Sequence, residues 1–340
     1  MSVKINKTGT VVDGKEIFEY VITSGKISAT LYSYGAVIQS LVFDGNDVAL
    51  GYENVEGYIK NRSHHGAPVG RYVGRIKDAK FVLNGIEYNL SKNNNGVHHS
   101  HGGFNGFNRQ VWDAEIEENA VIFTYLSPDG EEGYPGNLTA TIKYSIVNGT
   151  DFVIEYTGIS DKDTPFNPTN HVYFNLNEDK SKDCLTTELQ INAEKISGTD
   201  DKQFSIDCYV PVKGTALDFT SPKPLGRDID SSEELIQIAT GHDHTYVLSD
   251  DRSWKKAAEA FCPESGIRMA CYTDMPIVTL YTANYLNEQE GKFGVNNFRR
   301  QGFCLETSFI PNSVNIPSFP NTILRAGDKF YSKTCYSFSK

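Results

Sequence analysis

The chain has 340 residues, 39% hydrophobic and 22% charged, a composition of folded globular proteins that excludes disordered, fibrous and low-complexity classes. Its formal charge is −11, from 32 Lys plus Arg against 43 Asp plus Glu, and it carries no dense basic run, which argues against nucleic acid as a partner. No stretch approaches the roughly 18 apolar residues needed to cross a bilayer, and the polar opening MSVKINKTGTVVDGKE has no export-type apolar core, so a cytoplasmic protein with no membrane partner is expected.

In chain order, extended structure is expected first over 28 to 43. FVLNGIEYNL (81 to 90) then places Asn84-Gly85 between two alternating apolar runs, the strongest short-range signal for a tight hairpin turn. A strand is expected at 121 to 126, and a second hairpin over 138 to 156, where Leu138, Ala140, Ile142, Tyr144 and Ile146 alternate with polar residues before Asn148-Gly149 reverses the chain. Period-two patterning of this kind marks half-buried antiparallel strands. Helices are expected to be few and short, chiefly at 232 to 239 and 252 to 261, with further strands at 266 to 273, 277 to 283, 302 to 309 and 329 to 338. There is no Pro/Gly/Ser-rich linker and no period of roughly 20 to 50 residues. The expectation is all-β: one large antiparallel β-sandwich domain spanning residues 1 to 340.

The six cysteines, 184, 208, 262, 271, 304 and 335, form no CxxC pair and read as reduced thiols. All eight histidines fall in four clusters, His64-His65, His98-His99-Ser100-His101, His171 and His242-Asp243-His244. Two of these contain HxH, which on a strand aims two imidazoles at one face and could ligate a metal. Against that reading, the carboxylate that would complete a cupin-type site is missing, because Gly102, Gly103, Phe104, Asn105 and Gly106 follow His101. The Gly102-Gly103 pair lets backbone approach a ligand closely.

NPTNHVYFNL (167 to 176) sets His171 where a turn hands over to an extended segment rich in aromatics, a place suited to catalytic side chains. In GFCLETSF (302 to 309), Phe303, Leu305 and Thr307 share one strand face and Cys304, Glu306 and Ser308 the other. Neighbours such as Cys304 and Leu305 would desolvate Glu306 and raise its pKa, although a lone glutamate on an edge strand is more often exposed. A Cys304–His nucleophile has no local thiol-activating sequence to support it.

GRYVGRIKDAKFVLNGIEYNL, HGGFNGFNRQVW, SPDGEEGYPGNL, NPTNHVYFNL, GHDHTYVL, LYTANYL and GFCLETSFIPNSVN follow one another in an order that resembles the aldose 1-epimerase (galactose mutarotase) family, from about residue 27 to 338. The resemblance implies the family's large antiparallel β-sandwich and interconversion of the α and β anomers of free monosaccharides such as galactose and glucose. It identifies His171 with the general acid, Glu306 with the general base and His101 with a second active-site imidazole. By the same resemblance, Arg75 and Asp243 bind sugar hydroxyls. No cofactor and no metal are implied, and the chain is expected to be a monomer or homodimer. Where many members have Asn, Gln, Gln and an aromatic, this chain has Gly74, Ser308, Thr279 and His65, which bears on sugar preference. A hexose-6-phosphate epimerase and a non-catalytic sugar-binding protein on the same fold are the alternatives.

Overall fold

The computed structural model describes residues 2–61, 63–288 and 290–340. Alternation dominates locally, as the hairpin signals require. Lys80–Leu83 pairs with Ile86–Asn89 across Asn84 (φ 52°) and Gly85 (φ 79°), and Leu138–Val147 pairs with Asp151–Ser160 across Asn148 (φ 55°) and Gly149 (φ 73°). The extended stretch expected over 28 to 43 is two strands, Ile27–Tyr32 and Ile38–Phe43, reversed where Gly35 and Ala36 take φ of 65° and 47°.

Three antiparallel sheets carry the fold. Ser2–Val12, Lys15–Ser24, Ile27–Tyr32, Ile38–Phe43 and Asn46–Asp47 form the first. A nine-stranded sheet runs in the spatial order Asp113–Glu117, Ala120–Ser127, Leu138–Val147, Asp151–Ser160, Lys329–Ser339, Arg268–Thr273, Lys255–Phe261, Glu188–Ile191 and Lys223–Pro224. The third orders Ser205–Pro211, Lys195–Thr199, Asp243–Val247, Ile277–Tyr281 and Cys304–Ser308. One buried apolar cluster joins all three, with Ile22 and Leu31 from the first, Ile142 and Tyr336 from the second, and Tyr246, Val278 and Leu305 from the third. Across it Tyr20 meets Phe123 edge-on at 5.5 Å and Phe43 stacks on Phe338 at 5.4 Å, geometries that aromatic pairs prefer.

The segment 252 to 261 is a correction: Lys255–Phe261 is a strand held between Arg268–Thr273 and Glu188–Ile191. Its Ala, Lys and Glu residues favour helix, but burial of Ala257, Ala258 and Ala260 between two partners overrides a propensity of a few tenths of a kcal/mol per residue. Glu234–Ala239 is helical as expected, and a short helix at Val55–Lys60, capped by Asn54 accepting from Gly57 N, was not foreseen. No helix among the described residues is long and apolar enough to cross a membrane.

Candidate active site

The third sheet explains the position of the site. Its strands alternate, so Tyr246, Val278, Leu280 and Leu305 enter the core while Asp243, Thr245, Thr279, Tyr281 and Glu306 face away from it into a cavity of about 270 Å³. Register aligns these polar residues: Asp243 opposes Tyr281, Thr245 opposes Thr279, and Thr279 opposes Glu306. The five residues assigned by resemblance, Arg75, His101, His171, Asp243 and Glu306, all line this one cavity.

His171 ends the short strand Thr169–His171, which pairs with Ala67–Val69, and Gly66 N donates to its carbonyl at 3.0 Å. Its ring stands between two side chains of Cys304–Ser308. Nε2 lies 3.5 Å from Glu306 Oε1 and Nδ1 lies 3.5 Å from Cys304 Sγ. Glu306 is only 5% exposed, as is His171, so the exposed edge-strand glutamate is ruled out. Burial, reinforced by the imidazoles of His64 and His65, holds His171 well below its ordinary pKa, and burial, helped by the charge of Asp243, holds Glu306 well above its own. Burial also raises the Cys304 thiol well above its ordinary value, the opposite of what an activated nucleophile needs.

His101 reaches the cavity by leaving regular structure. It has φ 49°, followed by Gly102 at 81° and Gly103 at 100°, and a Cβ on Gly102 would stand 1.8 Å from the Gly70 carbonyl oxygen. Glycine is therefore required there. His101 N donates to Gly74 O at 3.1 Å and Gly74 N donates to His101 Nδ1 at 3.4 Å, which leaves Nε2 to carry the ring proton towards the cavity. The carboxylate of Glu132 secures the loop by accepting from Phe104 N at 3.0 Å and Asn105 N at 2.9 Å. Arg75 and Asp243 sit 3.9 Å apart at the cavity wall, and burial raises the Asp243 pKa against the opposing pull of Arg75.

The HxH metal reading is not supported by the placement of its histidines. His101 departs from the strand His99–Ser100 and His242 precedes the strand Asp243–Val247, so neither pair keeps the alternation that would aim both rings together. His99 instead bonds Ser91 O and Tyr134 OH, each at 2.8 Å, and His244 packs on Leu235 O at 3.3 Å. Among the described residues, the one group of three side chains with metal-ligating atoms in mutual reach is His171, Cys304 and Glu306, all within 4.8 Å.

Several lining residues were not assigned from the sequence. His64, its ring 4.9 Å from that of His101, contributes a third imidazole whose pKa burial lowers to about 4, and Tyr173, Tyr281 and Tyr285 add aromatic surface. The His64-His65 doublet was the available signal, and only its first member lines the cavity. Of the four departures from the family pattern, Gly74 and Thr279 line it, while His65 is buried behind on Glu288 at 3.1 Å and Ser308 bonds Phe309 O. Gly74 has φ 72° and a Cβ there would meet Pro311 Cβ at 2.5 Å, so asparagine does not fit without a shift.

Residues 19–337 match the family model described as aldose 1-epimerase. The galactose mutarotase of Rattus norvegicus is 35% identical over 332 residues, covering 96% of this chain and 95% of its own, and the aldose 1-epimerase of Escherichia coli (strain K12) is 32% identical over 318 residues, covering 91% of each. Among solved structures, galactose 1-epimerase from Lactobacillus acidophilus NCFM superposes with a TM-score of 0.87 at 26% identity, covering 99% of this chain and 98% of its own. A GalM/aldose epimerase homologue from C. elegans superposes with 0.85 at 26% identity, covering 94% and 99%. The cavity with its buried His–Glu pair thus lies in a chain that belongs to the aldose 1-epimerase family.

Proposed function

We propose that this protein interconverts the α and β anomers of free hexoses such as galactose and glucose. The observation that carries the reading is the His171–Glu306 pair, 3.5 Å apart at the cavity wall with oppositely shifted pKa values. Mutarotation removes the proton from the C1 hydroxyl and adds one to the ring oxygen as the C1–O5 bond breaks. Both oxygens are bonded to C1, so a neighbouring acid and base can serve them together. Glu306 takes the hydroxyl proton and His171 donates to the ring oxygen. Rotation about C1–C2 in the open aldehyde and closure with roles reversed then gives the other anomer. Oxidation state is conserved throughout, and the proton count balances within the pair.

The electrostatics set where the pair keeps its proton. Burial disfavours both the carboxylate and the imidazolium, so a pair holding one proton prefers carboxylic acid beside neutral imidazole. That arrangement is ready for ring closure, in which Glu306 donates and His171 accepts, whereas ring opening first requires the shared proton to pass from Glu306 to His171. His101, Arg75 and Asp243 supply hydrogen bonds that hold the ring in register with the pair.

Glu306→Gln keeps the shape and removes the base. Polarimetry of freshly dissolved α-galactose is expected to show a loss of about 10² to 10⁴ in turnover, and a near-native rate would remove Glu306 from the role. Running galactose and glucose beside glucose 6-phosphate separates free-sugar from phosphosugar activity, and absence of turnover on all three would leave a binding protein.

A further inference from the structure

The acid–base pair has a third donor beside it that ring opening does not use. Cys304 is completely buried, shares a strand face with Glu306, and sets its Sγ 3.5 Å from His171 Nδ1. Glu306 Oε1 approaches the other nitrogen of the same ring at 3.5 Å, and donor atoms from all three residues lie within 4.8 Å of one another. In a tetrahedral zinc site, with metal–sulfur and metal–nitrogen bonds of about 2.3 and 2.1 Å, the sulfur and nitrogen stand about 3.6 Å apart. The Cys304–His171 separation already has nearly that value; Glu306 lies nearer Nε2 of that ring, with its oxygen within 4.8 Å of the other donor atoms, so the carboxylate must swing towards the sulfur side to close the third bond.

The geometry points to a second use of this cavity: a binding site for zinc or cadmium, formed by His171, Cys304 and Glu306, whose occupation stops sugar turnover. Thiolate, imidazole and carboxylate select borderline and soft divalent cations, while magnesium and calcium prefer sets made of oxygen alone. On binding, the Cys304 S–H bond is exchanged for a sulfur–metal bond and the Glu306 carboxyl likewise gives up any proton it holds. The protons go to water and no oxidation state changes. Two anionic donors and one neutral donor cancel the double positive charge, so the filled site carries no net charge, which a buried position tolerates far better than an isolated ion. The cation enters through the cavity that His171 and Glu306 line, so sugar and cation exclude each other. The inhibitory consequence rests on the acid–base reading above, whereas the binding itself does not.

Cadmium chloride added to the full chain reads the two separately. The ultraviolet cadmium–thiolate charge-transfer band reports binding, and polarimetry of α-galactose reports turnover. Expected are one equivalent of band and a fall in turnover of about 10² or more at saturation, relieved by high galactose and unmatched by magnesium. Cys304→Ser should abolish the band and the inhibition, and Cys208→Ser, at the exposed thiol, should leave both; a melting curve for each variant establishes that it is folded. A band that survives Cys304→Ser, or inhibition without any band, overturns the site. A Cys304-dependent band with undiminished turnover upholds the site and instead refutes the acid–base assignment.

Discussion

At 3.5 Å, His171 Nε2 and Glu306 Oε1 stand at the limit of hydrogen-bonding reach, so neither group is locked to the other and each stays available to a ligand oxygen. Their shifts set the pH range in which the pair holds one proton. Burial depresses His171 from its ordinary 6.5 and raises Glu306 from its ordinary 4.5, so the second proton is lost only well below 6.5 and the last one well above 4.5. A plot of log kcat/KM against pH is expected to have its acid limb below 6.5, where the base is lost, and its alkaline limb where the acid is lost. An acid limb centred at or above 6.5 would contradict the depressed imidazole. At this scale the sequence named His171, Glu306, His101, Arg75 and Asp243 because each stands in a motif several residues long. His64 stayed unassigned because cavity walls also draw on residues that no local pattern marks.

The loop from His101 to Gly106 displays a catalytic-type side chain only by keeping three successive residues in the left-handed region, where a side chain is strained. Gly102→Ala would press its Cβ against the Gly70 carbonyl. The expected outcome is a loss of about 1 to 3 kcal/mol in urea unfolding, together with a fall of about 10² in kcat/KM as His101 is displaced; an unchanged rate would show that His101 does not orient the sugar. Elements were legible where turn chemistry or alternation was local, as at Asn84-Gly85 and Asn148-Gly149. They were misread where the deciding contacts came from far away in the chain. Lys255–Phe261 is the example, a helix by its residues and a strand by its two neighbours.

Across the whole molecule, buried neutral histidines couple folding to acid. Burial lowers His64, His99 and His244 to about 4 and His242, which also faces His244, to about 3. These folded values lie under the unfolded 6.5, so the unfolded chain binds protons first as pH falls. The stability they allow is fully present above 6.5 and drains away down to about 4, and to about 3 for His242. Each costs on the order of 1 kcal/mol per pH unit in that window. Urea midpoints measured between about pH 7 and pH 4.5 should fall steadily, and a flat profile would mean that these imidazoles titrate normally. The sandwich class was readable from alternation and motif order, but the strand order was not, since it depends on pairings between distant segments. Lys329–Ser339 is the extreme case, lying between Asp151–Ser160 and Arg268–Thr273. Until it arrives, both neighbours keep an open hydrogen-bonding edge, the surface on which chains self-associate. Vectorial synthesis therefore leaves the nine-stranded sheet as two unsealed halves until residues 329–339 emerge, so the hazardous interval for aggregation lasts until that strand docks.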